Sequence, residues 1–238
     1  KQPLMASWDH SIHAQLVKSL QLWGAQAVAF DILFEDESPD HPEADRELVE
    51  AVRAYGKVAL GAKFLPVVHR MNGEILDWKP TRPFEALEQV APWGATEVSD
   101  DNRTVRQHFR PEIVHSTAVR SLAWRVAELS RQQPVGNPIE ARWMNYYGPP
   151  GTIPWQSYWQ VYSNQVSPAL FSNKVVFVGS LIKTGFTGGK GSDDFRTPYT
   201  RWTGRKAPGV EVNATTYLNL LRTDWLHRLP PLSEFLLV

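Results

Sequence analysis

Apolar residues recur at helical spacing from His10 to Trp23. Ile12, Leu16 and Leu20 fall on one face, Val17 widens the stripe and Gly24 ends it. The spacing predicts an amphipathic opening helix. From Ala25 to Phe34 the chain is almost continuously apolar, with Val28, Phe30, Ile32 and Phe34 at strand period, the mark of a strand covered on both faces. A polar loop carrying Pro39 and Pro42 follows. Glu43 then opens a helix with Leu48, Val52 and Tyr55 on one side and Gly56 at its end, and Lys57 to Phe64 is a second apolar strand. Strand, helix and strand in that order make a right-handed βαβ unit with parallel strands.

The middle of the chain is less periodic. Pro66 to Pro83 reads as an excursion with a turn at Asn72-Gly73, and Phe84 to Val90 as a short helix. Trp93 to Val98 and Thr104 to Arg110 are expected to pair as a hairpin across Ser99 to Arg103. A helix over His115 to Arg131 places Val119, Leu122, Val126 and Leu129 in one stripe. A strand from Ala141 to Tyr147 ends at the stiff turn Gly148-Pro149-Pro150-Gly151, and a short helix is expected near Val161. Val175 to Val178 is a further continuous apolar strand, closing on Gly179. The last helix runs from Gly209 to Arg222, with Val210, Ala214, Tyr217, Leu218 and Leu221 inward. Pro208 and Glu211 suit its first turn, where a missing donor costs nothing and the helix dipole favours an acid. These elements predict an α/β fold: a single domain over residues 1–238 with a mostly parallel central sheet and helices on both faces.

Composition narrows the function classes. The 238 residues carry 25 basic and 25 acidic side chains, so no charge excess favours a nucleic-acid partner. Without cysteine there is no disulfide, thiolate metal site or cysteine nucleophile. No run reaches the roughly 18 to 20 apolar residues that span a bilayer. The chain stops on Phe235, Leu236, Leu237 and Val238, read here as the start of an apolar segment, with an ordinary C-terminal element as the alternative.

Candidate chemistry centres on acids at strand ends. Asp31 lies inside an apolar strand and needs a partner. A haloacid-dehalogenase phosphatase would place a second acid two residues on and then a threonine, but those positions hold Leu33 and Glu35. Thr184 to Ser192 invites comparison with a phosphate loop. Its first glycine, Gly185, is one place late, and Lys190 is followed by Gly191 instead of a hydroxyl residue. Asp31, Asp193, Asp194 and Glu211 are candidate oxygen ligands for a hard cation, though no EF-hand pattern is present. His10 and His13, three apart, are expected on a solvated helix face. No Gly-x-Ser-x-Gly elbow occurs. The aromatics around the turn (Trp143, Tyr146, Tyr147, Trp155, Tyr158, Trp159) are expected mainly to pack a core. Asn213-Ala214-Thr215 matches a glycosylation acceptor but falls within the last helix, where it carries no weight.

Four segments in order resemble the extracellular sensory domain called CHASE, type 2. They are Phe30 to Phe34 (Phe-Asp-Ile-Leu-Phe), Asn145 to Gly151 (Asn-Tyr-Tyr-Gly-Pro-Pro-Gly), Asp193 to Pro198 (Asp-Asp-Phe-Arg-Thr-Pro) and Pro208 to Glu211 (Pro-Gly-Val-Glu). Each is weak alone; the ordered set spans nearly the whole chain. Two departures stand out. Asn213-Ala214-Thr215 replaces a more usual His-Ala-Asn, and the loops before Asp193 and between Tyr199 and Ala207 are longer and richer in glycine.

The resemblance implies an extracytoplasmic input domain of a bacterial inner-membrane receptor. It implies flanking membrane helices outside these residues, Phe235 to Val238 beginning one, and an output histidine kinase, nucleotide cyclase or Ser/Thr kinase. An unidentified small ligand or periplasmic protein is the expected partner, with a homodimer in the whole receptor. No catalytic residue, metal or cofactor is expected. The candidate ligand-binding residues are Asp31, Tyr146, Gly148, Asp193, Arg196, Thr197, Glu211 and Asn213. The rival readings are a periplasmic metal-dependent phosphoester hydrolase and a dimerisation module without a ligand.

Overall fold

The computed structural model describes residues 8–68, 75–98, 104–108, 119–130, 136–137, 140–180 and 193–227. Helix α1 (His10–Leu22) is capped by the Asp9 side chain, which accepts from the Ser11 N–H at 2.9 Å. Strand β1 (Ala27–Asp31) follows, then α2 (Pro42–Tyr55), which ends on Gly56 in the left-handed conformation that glycine adopts without a Cβ penalty. Next come β2 (Val58–Val68), β3 (Ile75–Thr81), the short α3 (Glu85–Glu88) and β4 (Trp93–Ala95). Helix α4 (Leu122–Leu129) is capped by Ser121, and α5 (Tyr158–Tyr162) leads to β5 (Val175–Gly179). The small pair β6 (Asp194–Phe195) and β7 (Ala207–Pro208) brackets α6 (Thr200–Thr203) and delivers the chain into α7 (Gly209–Arg222).

Strand β1 pairs in parallel with β2 on one side and β5 on the other. Leu60 of β2 is matched with both Phe30 and Trp93, so β4 lies on the far edge of β2, also parallel. The parallel order is therefore β4-β2-β1-β5, and β3 runs antiparallel along the extension of β2. The chain builds outward from β1 through β2 and β4, then returns to the opposite flank of β1 with β5. In such sheets the crevice beyond the carboxyl ends of the two strands where the direction reverses is the usual ligand site. Here those ends are Asp31 and Gly179, which sit opposite each other in register.

Alternation along the strands divides the core. Val28, Phe30, Val58, Leu60 and Val178 pack with α1 and α2 on one face. The other face carries small residues, Ala27, Ala29 and Ala59, against α4 and α7. The alanines let these helices approach closely. Helices thus cover both faces, as the sequence pattern predicts.

Several expectations need correction. The apolar run to Phe34 leaves the sheet at Asp31, although Ile32 and Phe34 remain buried. Trp93–Ala95 does not form a hairpin with the 104–108 segment. With Gly94 and Ala95 buried, it pairs with the otherwise open edge of β2. Segment 104–108 lies instead against 142–144, with the His108 N–H donating to Arg142 O and the Met144 N–H to Arg106 O. The expected strand over Ala141 to Tyr147 is reduced to single bridges from Trp143 to Gln107 and Leu226. Val119 and Arg120 lie outside α4, and Ser121 bridges to Ala95.

His10 and His13 are buried, not solvated. Asp45 accepts from His10 at 2.5 Å, and the Tyr158 hydroxyl bonds His13 at 2.9 Å within a cluster that includes Phe30, Phe34 and Phe84. On α7, Leu221 is exposed, whereas Asn213, Thr216 and Asn219 are buried. The Asn72-Gly73 turn, the glycine-rich run and Phe235 to Val238 lie outside the described residues.

Candidate functional site

Asp31 closes β1 at the strand-reversal crevice. Gly179 opposite it lets α7 approach, since a Cβ there would meet Val210 at 2.7 Å and Asp31 at 3.2 Å. Asn213 of α7 donates from one amide nitrogen to Asp31 Oδ2 and to Thr96 O, each at 3.3 Å. Burial, and after it the charge of Asp193, push the Asp31 carboxyl up to about 7; the Asn213 hydrogen bond and Lys63 oppose this. Asp193 abuts the first turn of α7, its Oδ1 being 2.9 Å from where a Gly209 Cβ would stand. Burial also raises its carboxyl, against the attraction of Lys63. Glu97 completes the group. Its carboxyl is likewise raised by burial; Oε1 accepts the Phe64 N–H, and Oε2 is buried without a partner among the described residues. Three reluctantly ionised acids therefore meet at the sheet edge near one exposed lysine.

The second part of the site is a cleft between the Gly148–Gly151 turn and the start of α7. Tyr146, Tyr147, Gly148, Thr197, Glu211 and Val212 line it. Both Glu211 oxygens accept the Gly151 N–H, at 2.8 and 3.0 Å, tying the turn to the first turn of the helix. The Tyr146 hydroxyl donates to Val105 O at 3.1 Å, and burial, then the Glu211 charge, hold its phenol above the usual range. Thr197 is 3% exposed and its Oγ1 has no partner among the described residues.

A third set of bonds fixes the far half of α7. Asn219 accepts the Asn145 N–H at 2.8 Å and donates to Asn145 O and the Tyr147 hydroxyl at 2.9 Å each. Tyr147 in turn donates to Asp224, and Arg222 stacks over its ring at 4.6 Å.

The structure places Asp31, Asp193 and Asn213 in the crevice, and Tyr146, Gly148, Thr197 and Glu211 around the cleft. Arg196 joins neither set: its side chain is exposed, and only its carbonyl is engaged, by the Val105 N–H. Among the described residues no group of three or more acids or histidines is placed to hold a metal ion. Sequence reasoning missed Lys63, Glu97, Asn145, Tyr147, Asn219 and Asp224. The available signal for Asn219 was a poor helix former inside a helix, where a buried amide demands partners. Nothing local marks Glu97 or Lys63.

The chain is thus an α/β domain whose last helix brings polar groups to the strand-reversal crevice. A family model, the CHASE2 domain, matches residues 2–238, and the chain belongs to that family of extracellular sensor domains found in signalling receptors. Searches of curated proteins and of solved structures returned no match. Among the described residues, no helix is long and apolar enough to cross a membrane.

Proposed function

We propose that this domain is the extracytoplasmic input of a bacterial transmembrane receptor. A small ligand or periplasmic protein is met at the crevice and cleft beside α7, and the change passes through that helix to membrane segments. The output is a histidine kinase, a nucleotide cyclase or a Ser/Thr kinase, within a homodimeric receptor. The observation that carries this reading is that α7 is held by three separable polar contacts. Asn213 binds Asp31, Glu211 binds the Gly151 N–H, and Asn219 binds Asn145. Two of the three lie where a ligand would enter. A stimulus that replaces those contacts alters the position of α7 by its differential affinity for the two arrangements, about 5.5 kcal/mol for a shift from 1:99 to 99:1.

The test is receptor output in cells over a panel of growth media, with wild-type, Asp31→Asn and Glu211→Gln domains at matched protein levels. Wild-type output is expected to vary between media, while both variants hold one fixed output. Variants that follow wild type medium by medium place the sensing site elsewhere.

A further inference from the structure

We propose that the cleft between the Gly148–Gly151 turn and α7 is a recognition site for a primary alkylammonium group. This deepens the function proposed above and rests on the reading that the stimulus is met beside α7.

The cleft offers acceptors and almost no side-chain donors. Thr152 Oγ1 spends its hydrogen on Pro149 O at 2.6 Å and Thr215 Oγ1 on Glu211 O at 2.8 Å, so both present lone pairs. The Tyr146 and Tyr147 hydroxyls donate away, to Val105 O and Asp224. Glu211 accepts one N–H across two oxygens, which leaves most of its lone pairs unfilled. Among the described residues no lysine or arginine lines the cleft. Arg205 approaches Gly151 of the same turn but is exposed and stands outside the lining. Thr197 Oγ1, on a residue 3% exposed, is a polar atom whose burial no contact among the described residues explains.

Size and charge select the ligand. The cleft has about 10 Å³ for the centre of a water-sized group, room for one. An ammonium head is of that size, carries three donors and matches the Glu211 charge. A carboxylate or phosphate would bring more lone pairs to a site already rich in them. The head alone fills that space, so a short alkyl stem runs outward past the apolar lining residues Pro150, Ile153 and Val212.

The experiment is calorimetric titration of the whole chain with n-propylammonium chloride, with sodium propionate and potassium chloride as controls of matched size and ionic strength. Propylammonium binding is expected, with none from propionate or potassium. Glu211→Gln is expected to abolish binding. Thr197→Val, which removes a hydroxyl with no partner among the described residues and so keeps the fold, is expected to weaken it at least fivefold. Absence of propylammonium-specific heat, meaning water only, overturns the proposal, as does equal affinity in Thr197→Val and wild type. If amine binding fails while Asp31→Asn and Glu211→Gln still lock receptor output, the ligand class falls and the sensing site stands.

Discussion

Replacing Asp31 by asparagine should make the domain more stable, by an amount that grows with pH. Asparagine keeps the shape and leaves an acceptor for the Asn213 amide, now 3.3 Å from Asp31 Oδ2, while removing the ionisable proton. The folded carboxyl lies at about 7, against 3.8 when unperturbed. Between those values the folded state binds more protons than the unfolded one, so stability attributable to Asp31 falls as pH rises and levels off above about 7. A tenfold change in proton affinity is worth about 1.4 kcal/mol, so the full penalty on the ionised fold is about 4 kcal/mol. Of this, about 2 to 3 kcal/mol develops between pH 5 and pH 8. His108, whose burial lowers its imidazole to about 4, contributes the opposite slope between 4 and 6.5, its stability being lost as the ring is forced to charge. The wild-type profile alone is therefore ambiguous, and the difference between variant and wild type isolates Asp31. Urea titrations at pH 5, 6, 7 and 8 measure it. The advantage of Asp31→Asn should widen by about 2 to 3 kcal/mol, roughly a 1 M change in midpoint difference at usual urea sensitivities. A difference constant with pH, or a variant less stable throughout, refutes the claim that a strained carboxyl sits at this strand end.

Asn219→Ala strands the Asn145 N–H and C=O, which have no other partner among the described residues, and should cost about 2 to 4 kcal/mol in urea denaturation. A loss under about 0.5 kcal/mol would show the amide pair to be incidental. Gly94→Ala puts a Cβ 2.7 Å from the Ser121 backbone, which cannot rotate away, and should lower stability by about 2 to 3 kcal/mol. That is a fall in Tm of about 5 to 10 °C for a domain of this size. An unchanged melt would mean that β4 and the start of α4 are not packed as described.

The elements that carry their own periodicity are legible in the amino-acid order alone. α1 and α2 bury residue sets spaced at 3.6 and, with β5 and α7, stand near their expected bounds, while β1 ends three residues before Phe34 and β2 runs on to Val68. β4 takes a different partner from the expected one because three residues are too few to carry a period, and their pairing is decided by the open edge of β2. The buried face of α7 departs from expectation for a related reason. Hydrophobicity points at Leu221, while the structure buries Asn213 and Asn219, whose partners lie 182 and 74 residues away. His10 and His13 follow the same rule, since Asp45 and Tyr158 make their burial tolerable.

At the site, acids placed at strand ends by pattern do converge on α7, but the group around Asp31 depends on Glu97 and Lys63, distant in sequence. Arg196 stands in a motif whose backbone, not its side chain, is used. A motif marks a turn well, and says less about which of its side chains points inward.

The central claim is that the acids beside α7 set that helix's position. The chain has no cysteine, so cysteines introduced at exposed Leu22, at the end of α1, and Leu221, near the end of α7, would be its only thiols for spin labels. Pulsed electron paramagnetic resonance then gives the distance distribution between the two helix ends. Introducing Asp31→Ala or Glu211→Ala, which remove the acceptors of the Asn213 amide and the Gly151 N–H, should shift that distribution by about 1 to 2 Å, the scale of helix shifts in signalling domains. Distributions that superimpose on the parent in both variants, with the fold intact, would contradict the account.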